Sequence, residues 1–285
     1  MKSFEFSRTF FLMEKLFQFY RLLNLLSLDI AAGAVVGALF FAKIFNVHML
    51  PYGQASLGLT VWVIYTTDHL LDARNLKRLA STERHRFHQR NFNALTIALV
   101  LAIIIDVILI FFIWKPLFMG GLVLSAIVAS YFFIQRYLQL TKEFFGALLY
   151  SGGVLLAPLS LTLQVLTAPY LVLIIQFFFI ALINLLLFSC FDREADQQDG
   201  HRSFANAAGE EALIKTIILL VSAVISISVY LILRHPEFKD PTLILFLMTI
   251  VLVSILVFRK QFTEGDRYRL LGDAVFFLPL FYLLI

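Results

Sequence analysis

What most limits how this chain can fold is a series of apolar runs, each close to the roughly 20 residues a helix needs to cross a hydrocarbon layer about 30 Å thick. Nine such runs lie at 27–45, 52–71, 93–114, 117–138, 143–163, 169–190, 211–233, 241–258 and 268–285. They lack the strict alternation of barrel strands and are expected as helices. Pro51, Pro116, Pro169 and Pro241 sit just before or at run starts, where a helix has no need of the missing N–H. Pro279 falls inside the last run, where a kink is expected.

Composition excludes the main soluble classes. Sixty per cent of the residues (60%) are hydrophobic, 15% are charged, and mean hydropathy is +0.87. A soluble domain is about 25% charged. Too little polar surface is left for a cytosolic enzyme, a disordered chain or a nucleic-acid-binding module. The pI near 9.2 is therefore assigned to basic loops beside a lipid bilayer. Cys190 stands alone, which excludes an internal disulfide framework and a Cys-based zinc site.

Lys and Arg set the expected orientation. With nine spans, 19 of the 23 fall on the face that holds the N-terminus and 4 on the other. The positive-inside rule then puts the N-terminus in the cytoplasm and the C-terminus outside, as in a bacterial-type inner membrane. Arg8, Glu14, Lys15 and Arg21 interrupt any signal-peptide core in residues 1–26. The Phe and Tyr residues among them suggest a helix lying in the membrane interface. The expected architecture is all-α: one membrane-embedded domain over 1–285, nine transmembrane helices around a central cavity, and cytoplasmic cap loops at 72–92 and 191–210.

Both cap loops begin at acidic clusters. Asp68 and Asp72 are four residues apart, so on a helix they share a face and repel. Asp192 and Asp196 repeat the spacing, with Gly200 placed to stop a helix and Ser203 to start the next. An ionised group near lipid costs about 2.5–3.5 kcal/mol at mid-membrane, so something should compensate. Mg²⁺ takes oxygen ligands, keeps several waters, and is commonly shared between one or two carboxylates and a substrate phosphate. Two such pairs bordered by Lys and Arg point to a Mg²⁺–diphosphate clamp. The bland alternative is that these acids solvate helix ends.

At these residues the chain resembles the UbiA-type intramembrane prenyltransferase superfamily, whose second acidic motif has the form DxxxDxxxGxxS/T and often begins DRExD. Asp192-Arg193-Glu194-Ala195-Asp196 through Gly200 and Ser203 fits it fully. The first motif usually reads NDxxDxxxD; here Asp68 takes the Asn position, His69 the first Asp, Asp72 the second, and Leu76 the last. A Y-x-x-x-K-R-Y element is matched by Tyr131 through Gln135, Arg136 and Tyr137, with Gln in place of Lys. The resemblance implies nine helices and Mg²⁺-dependent transfer of a prenyl group from a polyprenyl diphosphate to an aromatic or other lipophilic acceptor. It also implies catalytic and metal-binding roles for Asp68, Asp72, Asp192 and Asp196. Arg74 and Lys77, within two turns of Asp72, are expected near diphosphate. So are Arg136 or Lys142, which can stand in for the missing Lys, together with Tyr131 and Asn24. For the basic residues the competing role is the positive-inside signal alone.

Asp29, Asp106 and Asp273 lie in or near apolar runs, and acids there are functional candidates by default. Asp106, near mid-span, is expected to find a partner or be held uncharged, and to lie apart in depth from the two clusters. Ser151-Gly152-Gly153 is expected to allow close helix packing or to line the cavity, and Arg193 to hold a carboxylate in place. The competing functional classes are a transporter and a diverged binding protein on the same fold.

Overall fold

The computed structural model describes residues 2–76, 78–134, 140–200 and 203–285, with side chains from residue 14 onward apart from Asn75. Among these residues the chain is helical, without strands. The long helices are α1 (Lys2–Leu25), α2 (Leu28–Ile44), α3 (Pro51–Asn75), α5 (Phe92–Ile110) and α6 (Lys115–Ile134), with the short α4 (Glu83–Arg90) before α5. They continue with α7 (Lys142–Leu161), α8 (Ala168–Phe191), the short α9 (Arg193–Asp199) and α10 (Phe204–Ala208), and then α11 (Glu210–Arg234) and α12 (Lys239–Val257). The chain closes with α13 (Arg259–Thr263), α14 (Arg267–Ala274) and α15 (Leu280–Leu284).

The four prolines at run starts lie within the first three residues of α3, α6, α8 and α12, where their rings fit a helix start. The last run is broken: α14 ends at Ala274, a tight turn covers Val275–Phe277, and Pro279 precedes α15. Among the described residues, 6 helices are long and apolar enough to cross a membrane, or up to 7 if the bent α1–α2 pair counts as one. Each is dominated by apolar side chains, and the chain is an integral, multi-pass membrane protein. The first cap loop holds α4, whose start is fixed by Thr82 Oγ1 accepting from His85 N at 3.3 Å. In the second, α9 ends on Gly200 at φ 74, the left-handed region in which glycine carries no Cβ penalty.

Helix α8 forms the buried axis of the bundle. Leu173, Phe177, Ile180, Ile183, Leu186 and Leu187 on it are buried, and it packs against α7, α11 and α12. Helix α2 packs against α3, α7 and the 275–277 turn. Its Phe41 meets Phe177 edge-on with centroids 5.3 Å apart, and Phe177 meets Phe276 at 6.0 Å. Such edge-on pairs add about 0.5–1.5 kcal/mol beyond area burial. In contrast, α5 and α6 turn most of their side chains outward, as lipid-facing helices do. At Ser27, whose φ is 57, the chain turns by 81° between the Glu14–Leu25 part of α1 and α2.

Close approach at one glycine brings α14 onto α8. A methyl at Gly272 would stand 2.6 Å from Phe188 Cε1 and 2.8 Å from Asn184 Oδ1. A larger side chain would have to push aside Phe188 and Asn184 of α8 or α14 itself, which carries Tyr268 and Arg269.

A buried polar network ties α1, α2, α4 and α14 together. Arg84 reaches down from α4 to Asp273 at 3.1 Å and to Asn24 Oδ1 at 2.9 Å. Asn24 Nδ2 donates to Asp29 at 2.6 Å and to Asp273 at 2.7 Å. Tyr20 adds a bond to Leu270 O at 3.0 Å. Arg84 and Asp273 are each 4% exposed, so their charges are compensated by each other and by these donors rather than by water.

Replacing Arg84 by Ala leaves Asp273 buried without its counter-charge and is expected to cost about 3–5 kcal/mol. A marked fall in Tm of the detergent-solubilised protein is the expected outcome, and an unchanged Tm contradicts the network. Gly272→Ala is expected to cost about 1–3 kcal/mol through overpacking, read as a smaller fall in Tm. An Ala variant as stable as the parent contradicts the close α8–α14 contact.

Candidate active site

A cavity of about 670 Å³ runs through the bundle, with walls from α3, α5, α6, α7 and α8, and with α14 contributing at the end that carries the acids. Asp68 and Asp72 enter it from the last turns of α3, Asp192 from the end of α8, and Asp196 from α9. Two acidic stretches more than a hundred residues apart thus line one space.

Lys142, the first residue of α7, lies in the same wall. Its ammonium is attracted by Asp68 and Asp72 of one cluster and by Asp196 of the other, and opposite charges within a few ångströms offset like-charge repulsion. Tyr131 of α6 also faces the cavity, its hydroxyl 3.5 Å from the Lys142 carbonyl.

Asp192 is held from α14. One carboxylate oxygen accepts from the Tyr268 hydroxyl, the other from the Arg269 guanidinium, and Asp192 is buried. The Tyr268 ring stacks on Phe191 with centroids 4.3 Å apart, which fixes the angle of its hydroxyl. Each carboxylate oxygen has a second lone pair, so an oriented Asp192 can still face the cavity. Asp72 has His85 Nε2 at 3.7 Å from its Oδ2.

The two cap loops are latched by Asp199. It accepts from Ser81 N at 2.8 Å and Ser81 Oγ at 2.7 Å, and pairs with Arg78 at 3.5 Å. This third aspartate of the second cluster joins the loops. Arg193 pairs with Glu210 at 3.1 Å, and Arg259 also reaches Glu210, so Arg193 does hold a carboxylate, at the start of α11.

Not every expected residue reaches the cavity. Asn24 was expected at diphosphate, yet its amide is engaged on both sides by Asp29, Asp273 and Arg84. It is absent from the cavity wall, and its role is to bridge buried charges. Arg74 lies on the last turn of α3 with its side chain exposed, also outside the wall. Lys77 and Arg136, with Gln135, Tyr137, His201 and Arg202, lie outside the described residues.

Two residues singled out by the motifs for their positions, Ser203 and His69, also lie in the wall. Ser203 stands at the start of α10, but the α10 amides are capped by Glu143 Oε1 on Phe204 N at 2.7 Å and Ser189 Oγ on Ala205 N at 3.1 Å. Among the described residues the Ser203 hydroxyl is buried without a hydrogen-bond partner, on a residue of the cavity wall. His69, 8% exposed, also lies in the wall, and among the described residues neither of its ring nitrogens is hydrogen-bonded. His88, packed 4.9 Å from it, bonds the Arg84 carbonyl at 2.9 Å, and burial holds the His88 imidazole below its usual pKa. Among the described residues no three His, Cys, Asp or Glu groups converge as a closed metal site. Gly153 lines the cavity, and a Cβ there would meet Leu124 only at 4.0 Å, so the Ser-Gly-Gly step opens space rather than tightening a helix contact.

Two solved structures share this architecture. A UbiA homolog from Archaeoglobus fulgidus bound to GPP and Mg²⁺ has a TM-score of 0.65 and 15% identity, over 92% of this chain and 99% of that one. A UbiA homolog from Archaeoglobus fulgidus bound to DMAPP and Mg²⁺ has a TM-score of 0.61 and 14% identity over the same shares. No protein-family model and no curated protein sequence matches the chain. The chain shares the fold of these UbiA homologs, a bundle of apolar helices around an acid-lined cavity.

Proposed function

We propose that this chain is a UbiA-type prenyltransferase, moving a prenyl group from a polyprenyl diphosphate to an aromatic or other lipophilic acceptor with the help of Mg²⁺. The observation that carries this reading is the shared cavity: two acidic pairs from separate helix ends, with Lys142 between their charges. Solved structures of the same fold bound to DMAPP or GPP with Mg²⁺ support it.

The donor set fits the ion. Carboxylate oxygens are what Mg²⁺ takes, with ligand phosphate and water commonly completing its shell. Asp68, Asp72, Asp192 and Asp196 would hold it. When bound, it would offset charge on the departing diphosphate.

The chain's own groups supply the rest. Lys142 adds a positive charge where diphosphate oxygens would lie. Ser203 and His69 line the cavity and carry buried polar atoms without a partner among the described residues, which a small side-chain shift would offer to a ligand. Tyr268 and Arg269 keep Asp192 oriented, so little rearrangement is needed on binding. The apolar walls from α5, α6 and α7 hold the prenyl tail and keep water from an allylic cation. Heterolysis of the C–O bond leaves its electron pair on diphosphate. The cation then bonds an acceptor carbon, and a proton is released.

The same reading carries nine spans in one domain, the N-terminus on the cytoplasmic side, α1 along the interface and the 72–92 and 191–210 segments as cytoplasmic caps. The division of Lys and Arg and the sharp turn between α1 and α2 support that arrangement.

Binding of geranyl diphosphate to the purified protein in nanodiscs is expected to require Mg²⁺. Asp68→Asn and Asp196→Asn should each weaken it about 10- to 100-fold, the loss of one charged ligand contact, with Tm little changed. Mg²⁺-independent binding, or parent affinity in both variants, contradicts the assignment.

A further inference from the structure

The cavity has a second polar pole, far from the acidic pairs. Asp106 of α5 lies in its wall and accepts from Ser56 Oγ at 2.6 Å and Thr60 Oγ1 at 2.7 Å. Ser56 and Thr60 sit one turn apart on α3, so one face of that helix holds both carboxylate oxygens. They precede Asp68 by 12 and 8 residues. At 1.5 Å per residue, the pole stands roughly 12–18 Å along α3 from the first acidic pair.

The wall on its own helix is apolar: Ile103, Val107 and Ile110 of α5 line the same cavity. Among the described residues, no Lys or Arg pairs with Asp106. Gly53, one turn before Ser56 on α3, lines the cavity with nothing within 4 Å of where a Cβ would stand, and Gly121 of α6 is open in the same way elsewhere in the wall.

A hydrocarbon tail gains nothing from a carboxyl in its channel and loses by covering it, because a polar group closed off from water without a new partner is penalised. Two helices can be joined inside a membrane by hydroxyl or amide groups alone, so joining α3 to α5 does not call for an acid. Each Asp106 oxygen takes one hydroxyl hydrogen and keeps acceptor capacity toward the cavity.

We propose that Asp106, set by Ser56 and Thr60, is a specificity-determining subsite that accepts a hydrogen bond from a hydroxyl group on the ligand filling the deep half of the cavity. A neutral donor fits better than an ammonium, which would bring its own desolvation penalty. The hydroxyl belongs to one of two sources, the far end of the isoprenoid or the acceptor molecule. The inference rests on the proposed function only in naming those two.

The test compares matched ligands that differ by the donor, on the parent protein, Asp106→Leu and Asp106→Asn, each first shown to fold by its Tm. One arm measures ω-hydroxyfarnesyl diphosphate against farnesyl diphosphate with Mg²⁺. The other measures a 4-alkylphenol against its methyl ether without Mg²⁺ or diphosphate. In one arm the parent should prefer the hydroxyl compound by about tenfold or more. Asp106→Leu should erase that preference, and Asp106→Asn should retain part of it. The arm that discriminates identifies the source of the hydroxyl. Equal affinity within both pairs overturns the inference, as does a preference that survives in Asp106→Leu. So does an Asp106→Leu variant whose only change is a lower Tm, which makes the triad a helix clasp and nothing more. If neither diphosphate binds, the proposed function fails and the phenol arm alone decides the subsite.

Discussion

Like charges that must share a poorly hydrated space set the terms for the rest of this molecule. Four carboxylates from α3, α8 and α9 face one cavity, and in a bundle wrapped by lipid their repulsion is weakly screened. The protein answers with fixed cations. Lys142 stands among three of the acids, and Arg269 grips the fourth. These partners leave the site acidic on balance while fixing its geometry.

That geometry depends on packing some distance away. Arg269 reaches Asp192 because α14 lies against α8, and α14 lies there because Gly272 has no side chain. The same short helix delivers Asp273 to Arg84 and Asn24, so the cap helix α4 is anchored to the bundle interior. Asp199 completes the arrangement by joining the two caps through Ser81 and Arg78. Backbone closeness, buried charge pairing and cap closure are thus successive layers of support for the carboxylates.

Much of this was legible along the chain. Every run of about 20 apolar residues except the last, which breaks at 275–279, became a helix at nearly the expected limits, because in lipid a backbone has few other ways to satisfy its hydrogen bonds. The i,i+4 acid spacing was readable because it is local. Ser203 and Gly200 were placed correctly at helix boundaries, although Glu143 and Ser189, not Ser203, cap α10. What spacing could not supply was partnership across the fold. Tyr268 and Arg269 are 76 and 77 residues from Asp192, and no periodicity links them. Asn24 looked like a ligand contact because a polar residue before a span often faces a cavity; two buried acids from α2 and α14 claim it instead. Asp106 was expected to find a partner, and did, but its place in the cavity wall emerged only when α3 and α5 were packed.

The central claim is that the two acidic pairs act on one ligand, and a double-mutant cycle addresses it most directly. Mg²⁺-dependent affinity for geranyl diphosphate would be measured in the parent, Asp72→Asn, Asp196→Asn and the double variant. Residues that share a ligand should be coupled by about 0.5–3 kcal/mol, with the double variant departing from the sum of the single losses. Losses that add within about 0.3 kcal/mol would mean that the two pairs act independently, and the account would be wrong.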